Sequence, residues 1–131
     1  MANDLIPDDV KWFIIEKIDS VAELEGLLLL RRKREVEWTA ETLSQELYTT
    51  REQAGKVLTA LHLLDFLAIT GNKILKYQYQ PVSSELATLA DRIDEVYSKY
   101  LIPVTNLIHS KPQNKVQKFA DAFRFRKKED E

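Results

Sequence analysis

The 131-residue sequence contains no cysteine, which removes a disulfide framework, a thiolate metal site, a cysteine nucleophile and an iron–sulfur cluster. Glycine occurs only three times, at Gly26, Gly55 and Gly71. That is too few for the phosphate-cradling loop of a P-loop or dinucleotide site, and no Gly-x-Ser-x-Gly elbow is present. The two histidines, His62 and His109, stand far apart and outside any H-x-x-x-H or HExxH spacing. Asp91, Asp94 and Glu95 fall near one face of a helix, where a solvated acidic face is the ordinary reading. No catalytic residue, metal site or cofactor is therefore expected. No apolar run exceeds four residues, as in Leu27 to Leu30, whereas a membrane helix requires roughly 20. Asp4, Asp8 and Asp9 make the beginning acidic rather than basic and then apolar, so a cytoplasmic chain without a membrane partner is expected. Neither sign of charge dominates: 19 Lys and Arg face 21 Asp and Glu, for a net charge of −2, and any nucleic-acid contact must be local.

What is present is enough for a core, since 44% of the residues are hydrophobic and 31% charged. Pro7 with Asp8 and Asp9 opens a first helix carrying Trp12, Phe13, Ile15 and Ile18. Ser20 and Glu23 have capping-box spacing before an apolar helix that ends in Arg31, Arg32, Lys33 and Arg34, cations that suit a helix C-terminus. Glu35 to Trp38 alternates like a short half-buried strand, and Thr39 can cap a helix running to about Leu47. Thr49 with Glu52 and Thr50 with Gln53 both satisfy capping spacing for the next helix. Its inward stripe is Ala54, Val57, Leu58, Leu61 and Leu64, and its polar side holds Arg51, Gln53, Lys56, Thr59 and His62. Gly55 in its interior is unfavourable by roughly 1 kcal/mol against alanine, which implies a close approach of DNA backbone or a neighbouring helix. Two strand-like runs around Gly71-Asn72 predict a hairpin with a two-residue turn. From Ser84, Leu86, Leu89, Ala90, Ile93, Val96, Tyr97, Tyr100, Leu101, Val104, Leu107 and Ile108 recur at helical steps, with Pro103 placed to kink or split the segment. Val116, Phe119, Ala120 and Phe123 mark a last short helix before Arg124 to Lys128.

The predicted fold class is mainly α with a small β-hairpin. Residues 1–19 form an N-terminal helix, 20–81 a central domain and 82–131 a C-terminal helical segment with a basic tail. Helix, short strand, helix, tight turn, helix and hairpin is the order of a winged helix-turn-helix domain. Over Ser20 to Pro81 the chain resembles the bacterial winged-helix transcription regulators of the MarR and PadR groups. The resemblance rests on Trp38-Thr39 leading into Glu41 to Leu47, on Thr49-Thr50-Arg51-Glu52-Gln53-Ala54 through Leu58 and Leu61, and on Phe66 to Ile69 entering the wing. Phe119 to Arg126 is similar to a closing segment of uncharacterised bacterial winged-helix proteins. The resemblance implies a recognition helix in the major groove of double-stranded DNA, with Thr50, Arg51, Gln53, Lys56 and Thr59 at bases and phosphates and Asn72 and Lys73 at the wing.

In that group many wings carry an aspartate and an arginine, whereas this turn offers Asn72 and Lys73. Over residues 31–80 the cations Arg31, Arg32, Lys33, Arg34, Arg51, Lys56, Lys73 and Lys76 exceed Glu35, Glu37, Glu41, Glu46, Glu52 and Asp65 by only two. So thin a footprint predicts weak binding per monomer and a homodimer to supply the rest. Leu86, Leu89, Ile93, Val96, Tyr97, Tyr100 and Val104 are the expected dimer face. The alternative is that the long segment folds back on its own chain with Trp12 and Phe13. The two ends differ in sign: Lys111, Lys115, Lys118, Arg124, Arg126, Lys127 and Lys128 follow a beginning that holds Asp4, Asp8, Asp9, Glu16, Asp19, Glu23 and Glu25. The basic tail can serve as a DNA-backbone arm, as a segment docked on the acidic first helix, or as a solvated end. Tyr77, Tyr79, Tyr97, Tyr100, Trp12 and Trp38 could line an effector pocket, although aromatic residues at such spacing are more often core. The rival function is a protein-interaction module that keeps the fold and grips its partner through the C-terminal helices.

Overall fold

A computed structural model describes residues 5–110. They are mainly helical with one small antiparallel sheet, in the order α1 (Asp8–Lys17), α2 (Val21–Arg32), α3 (Ala40–Leu47), α4 (Arg51–Leu63), β1 (Leu67–Thr70), β2 (Lys76–Tyr79) and α5 (Ser84–Lys99). A further helix, α6, covers 101–110. Among the described residues no helix is long and apolar enough to cross a membrane.

Short polar side chains set the helix starts by accepting otherwise unpaired backbone N–H groups. Ser20 accepts from the Glu23 N–H at 3.1 Å, and Thr39 and Thr42 form a reciprocal capping box. Thr50, not Thr49, caps α4 by accepting from the Gln53 N–H at 3.1 Å. Ser83 caps α5 by accepting from Leu86 N–H. Between α3 and α4 the chain turns at Tyr48, whose φ of 53° is left-handed. The Tyr48 and Thr49 N–H groups both donate to the Ser44 carbonyl, closing the end of α3.

The core sits where α2 meets α3 and α4, with Leu24, Leu27, Leu28, Leu30, Leu43, Leu58 and Leu61 all fully buried. Phe13 of α1 packs edge-on against Phe66, with ring centroids 5.8 Å apart. Gly26 permits the approach of α2 to α4: a Cβ there would lie 2.7 Å from Cγ1 of Val57. Gly55 is different, because a Cβ there would meet only the Cβ of Ala40, at an ordinary 3.7 Å.

Two features of the β region depart from the sequence reading. The expected strand at Glu35 to Trp38 reduces to one bridge, in which Trp38 and Tyr77 exchange backbone hydrogen bonds of 2.7 and 2.8 Å. The hairpin pairs Leu67 with Tyr79 and Thr70 with Lys76, so its loop is residues 71–75 rather than Gly71-Asn72 alone. A two-residue turn would have set Lys76 opposite Leu67, on the face turned to the core. The longer loop puts Tyr79 there instead, and an odd shift of register exchanges the two faces of a strand. Gly71 remains necessary to this loop: its φ is +87°, and a Cβ would come within 2.6 Å of the Ile74 carbonyl oxygen.

The long periodic segment is also split. α5 ends at Lys99 with Tyr100 as its C-cap, three residues ahead of Pro103, and α6 takes Pro103 into its first turn. Proline tolerates a first turn, but within a continuous helix its ring would strike the carbonyl of Lys99. The split leaves α5 packed on α1 and α2, with Val104, Leu107 and Ile108 of α6 also buried. Ile93 and Val104 are each 1% exposed and Val96 and Tyr97 are buried, while Leu86, Leu89 and Tyr100 pack at the edge of the same core. Much of the face expected to pair two subunits is thus buried within its own chain, where α5 packs on α1 and α2, while Leu86, Leu89 and Tyr100 stay partly exposed. Phe13 takes part in that core, whereas Trp12 stays exposed with Lys17 over its ring.

Candidate nucleic-acid interface

Every residue expected to touch DNA lies on the surface: Thr50, Arg51, Gln53, Lys56 and Thr59 along α4, and Asn72 and Lys73 in the hairpin loop. The helical period produces this separation, since Ala54, Val57, Leu58 and Leu61 take the opposite side of α4 and are buried. His62 does not join the polar row. It is half-buried and meets Tyr77 edge-on at a centroid distance of 6.0 Å.

The charges of this row are in unequal states. Arg51 has no ion-pair partner among the described residues. Lys56 lies 3.7 Å from Glu52 one helical turn away, an exposed pair worth a few tenths of a kcal/mol. A nearby phosphate can displace so weak a partner. The Thr50 hydroxyl oxygen is occupied by its capping role, but its O–H remains able to donate.

The row borders an apolar groove of about 510 Å³ between α4 and the hairpin, floored by Ala40, Gly55, Leu58 and Tyr77 and edged by Leu63 and Leu75. Leu63, Ile74 and Leu75 are exposed around it. Sequence reasoning missed this groove because a two-residue turn leaves no loop to stand beside α4. The proposed aromatic pocket is not assembled: Tyr77, Tyr79, Tyr97 and Trp38 are buried in the core, and of these only Tyr77 reaches the groove.

Three of the four cations at the end of α2, Arg31, Lys33 and Arg34, serve the fold. Arg31 donates from Nε to Asp91 at 2.8 Å and from Nη1 to Asp94 at 3.0 Å, tying α2 to α5. Burial pushes the Arg31 guanidinium down, but the hydrogen bond to Asp91 and the charges of Asp91 and Asp94 outweigh it and hold its pKa above the usual value. Lys33 reaches Glu46 at 3.6 Å and stands 6.0 Å over the Trp38 ring. Arg34 lies 5.7 Å over the Tyr79 ring. The Trp38 indole N–H and the Tyr79 hydroxyl beneath these cations are buried without a hydrogen-bond partner. Burial, followed by the charge of Asp91, raises the Tyr79 pKa. Asp91 and Asp94 are therefore ion-paired and not a free acidic face.

The basic residues Lys111 to Lys128 and the acidic Asp4 lie outside the described residues. Comparison with protein-family models, with curated proteins and with solved structures found no match to this chain.

Proposed function

We propose that the chain is a winged helix-turn-helix protein that binds double-stranded DNA as a transcriptional regulator, with α4 as recognition helix and the hairpin as wing. The observation that carries this reading is the open polar side of α4, where Thr50, Arg51, Gln53, Lys56 and Thr59 are exposed together while the opposite side is sealed in the core. A helix buried on one side and polar on the other, entered through a sharp turn and followed by a hairpin, fits the width of a major groove. Arg51 suits a guanine edge, Gln53 an adenine edge, and Lys56, Lys73 and the threonines suit phosphates. Because three of the four cations at the end of α2 are engaged within the fold, Arg51, Lys56, Lys73 and Lys76 carry most of the phosphate attraction. Binding should then be weak per chain and strongly dependent on salt.

Fluorescence anisotropy with a random duplex tests this at rising salt. Binding near 50 mM salt that fades as salt is raised, and that drops at least tenfold in the Arg51→Ala/Lys56→Ala double variant, is expected. No binding even at low salt, or a double variant that binds like the parent, removes the reading.

The groove beside α4 favours a second reading. Its apolar floor and exposed rim of Leu63, Ile74 and Leu75 suit a protein partner, with Glu52 opposing phosphate on the same side. A chain that ignores DNA in the titration belongs to that class.

A further inference from the structure

The groove between α4 and the hairpin extends beyond its main hollow. A second hollow, of about 350 Å³, shares Ala40 and Leu75 with it and continues it past Arg51 to the start of α4. Three features of this face serve nothing inside the described fold. Leu63 and Ile74 are 74% and 64% exposed, so two large apolar side chains project from the rim of a largely apolar groove. Gly55 weakens the middle of α4, yet no neighbour requires it, since an added Cβ would meet only the Cβ of Ala40 at 3.7 Å. The charges along the groove are evenly divided between Glu41 and Glu52 on one side and Arg51 and Lys56 on the other.

We propose that this face binds a second copy of the chain about a two-fold axis, with the two α4 helices antiparallel and crossing near Gly55. Charge complementarity selects that occupant. A partner of one sign, a basic or an acidic peptide, meets as much repulsion as attraction along a row that holds both signs equally. A second copy does not, because a two-fold contact pairs unlike residues and repeats each pairing in reverse. With the helices antiparallel across Gly55, Glu52 faces the partner's Lys56, and Lys56 faces the partner's Glu52. The present partner of each is only the other, at 3.7 Å on an exposed surface, and is easily exchanged. Shape agrees with charge. The same operation carries Leu63, eight residues beyond Gly55, past the start of the partner's α4 and into the hollow beside the partner's Ile74. The projection and the cavity that receives it thus lie on one face, and Gly55 lets the two helix backbones approach. The α5 stripe is the poorer candidate, because Ile93, Val96 and Tyr97 are already buried within the chain.

This pairing does not rest on DNA binding. Lys56 and Thr59 belong to both surfaces, so the paired form is the one that is closed to a duplex along α4. Sedimentation equilibrium of the full chain without DNA, over a concentration series reaching the millimolar range, tests the pairing. The expected result is monomer and dimer in exchange. Glu52→Lys and Lys56→Glu should each weaken the dimer about tenfold or more by setting like charges opposite each other, and the double variant Glu52→Lys/Lys56→Glu should restore it. Gly55→Leu, which fills the crossing point, should abolish it. Glu52 and Lys56 are exposed, and unchanged circular dichroism verifies that the variants remain folded. A chain that stays monomeric throughout, single variants that pair like the parent, or a double variant that pairs no better than the single ones overturns the proposal. Pairing lost in Leu89→Ser and kept in Glu52→Lys overturns it as well, and returns the interface to α5.

Discussion

The two sides of α4 are drawn from the same thirteen residues and obey different rules. On the inner side Val57, Leu58 and Leu61 meet α2 so closely that Gly26 has no room for a methyl group. On the outer side Gly55 could accept one, because its nearest neighbour is a single methyl at van der Waals distance. The difference teaches that one glycine in a helix can be an obligation of packing and another only a local weakness, and that composition does not distinguish them.

The comparison can be broken at its strongest point first. Leu58→Ala should destabilise the protein by about 2–5 kcal/mol, measured by urea unfolding, because the side chain is fully buried between helices. A loss below about 1 kcal/mol would mean that the inner side is loosely packed. Gly26→Ala should destabilise by about 1–3 kcal/mol, since Val57 is β-branched, stiff in a helix and itself buried. Gly55→Ala should instead stabilise by up to about 1 kcal/mol, the helix propensity difference. If the two glycine variants shift the unfolding midpoint in the same direction, the contrast between the two sides fails. The smallest effect belongs to Arg51→Ala and Lys56→Ala, each expected within about 0.5 kcal/mol of the parent in the same assay, because both side chains are exposed and at most weakly paired. A larger loss would assign these residues to the fold rather than to a ligand.

Much of this architecture was legible before any coordinates. Ser20, Thr39 and the Thr49-Thr50 pair marked three helix starts because a hydroxyl three residues ahead of a backbone N–H is a local geometric relation. The inward stripe and polar row of α4 followed from the helical period in the same way. Pro103 signalled a break, though not that the break falls at Tyr100. The hairpin was recognisable from Gly71, while its loop length was not: register depends on which tyrosines the core accepts, and the core lies outside the hairpin. Gly26 gave no signal at all, since its role exists only where α2 crosses Val57.

The sequence by itself determined the helix caps, the inward stripes and the turn glycine, because each depends on residues within a few positions of one another, and its lack of cysteine excluded thiol chemistry. Tertiary structure decided the destinations. Arg31 went to Asp91 and Asp94 across 60 and 63 residues, and the apolar stripe of α5 packed on α1 and α2. Such contacts join segments distant in the chain. Ion pairing and burial depend on distance in space, which a linear pattern of residue types does not contain.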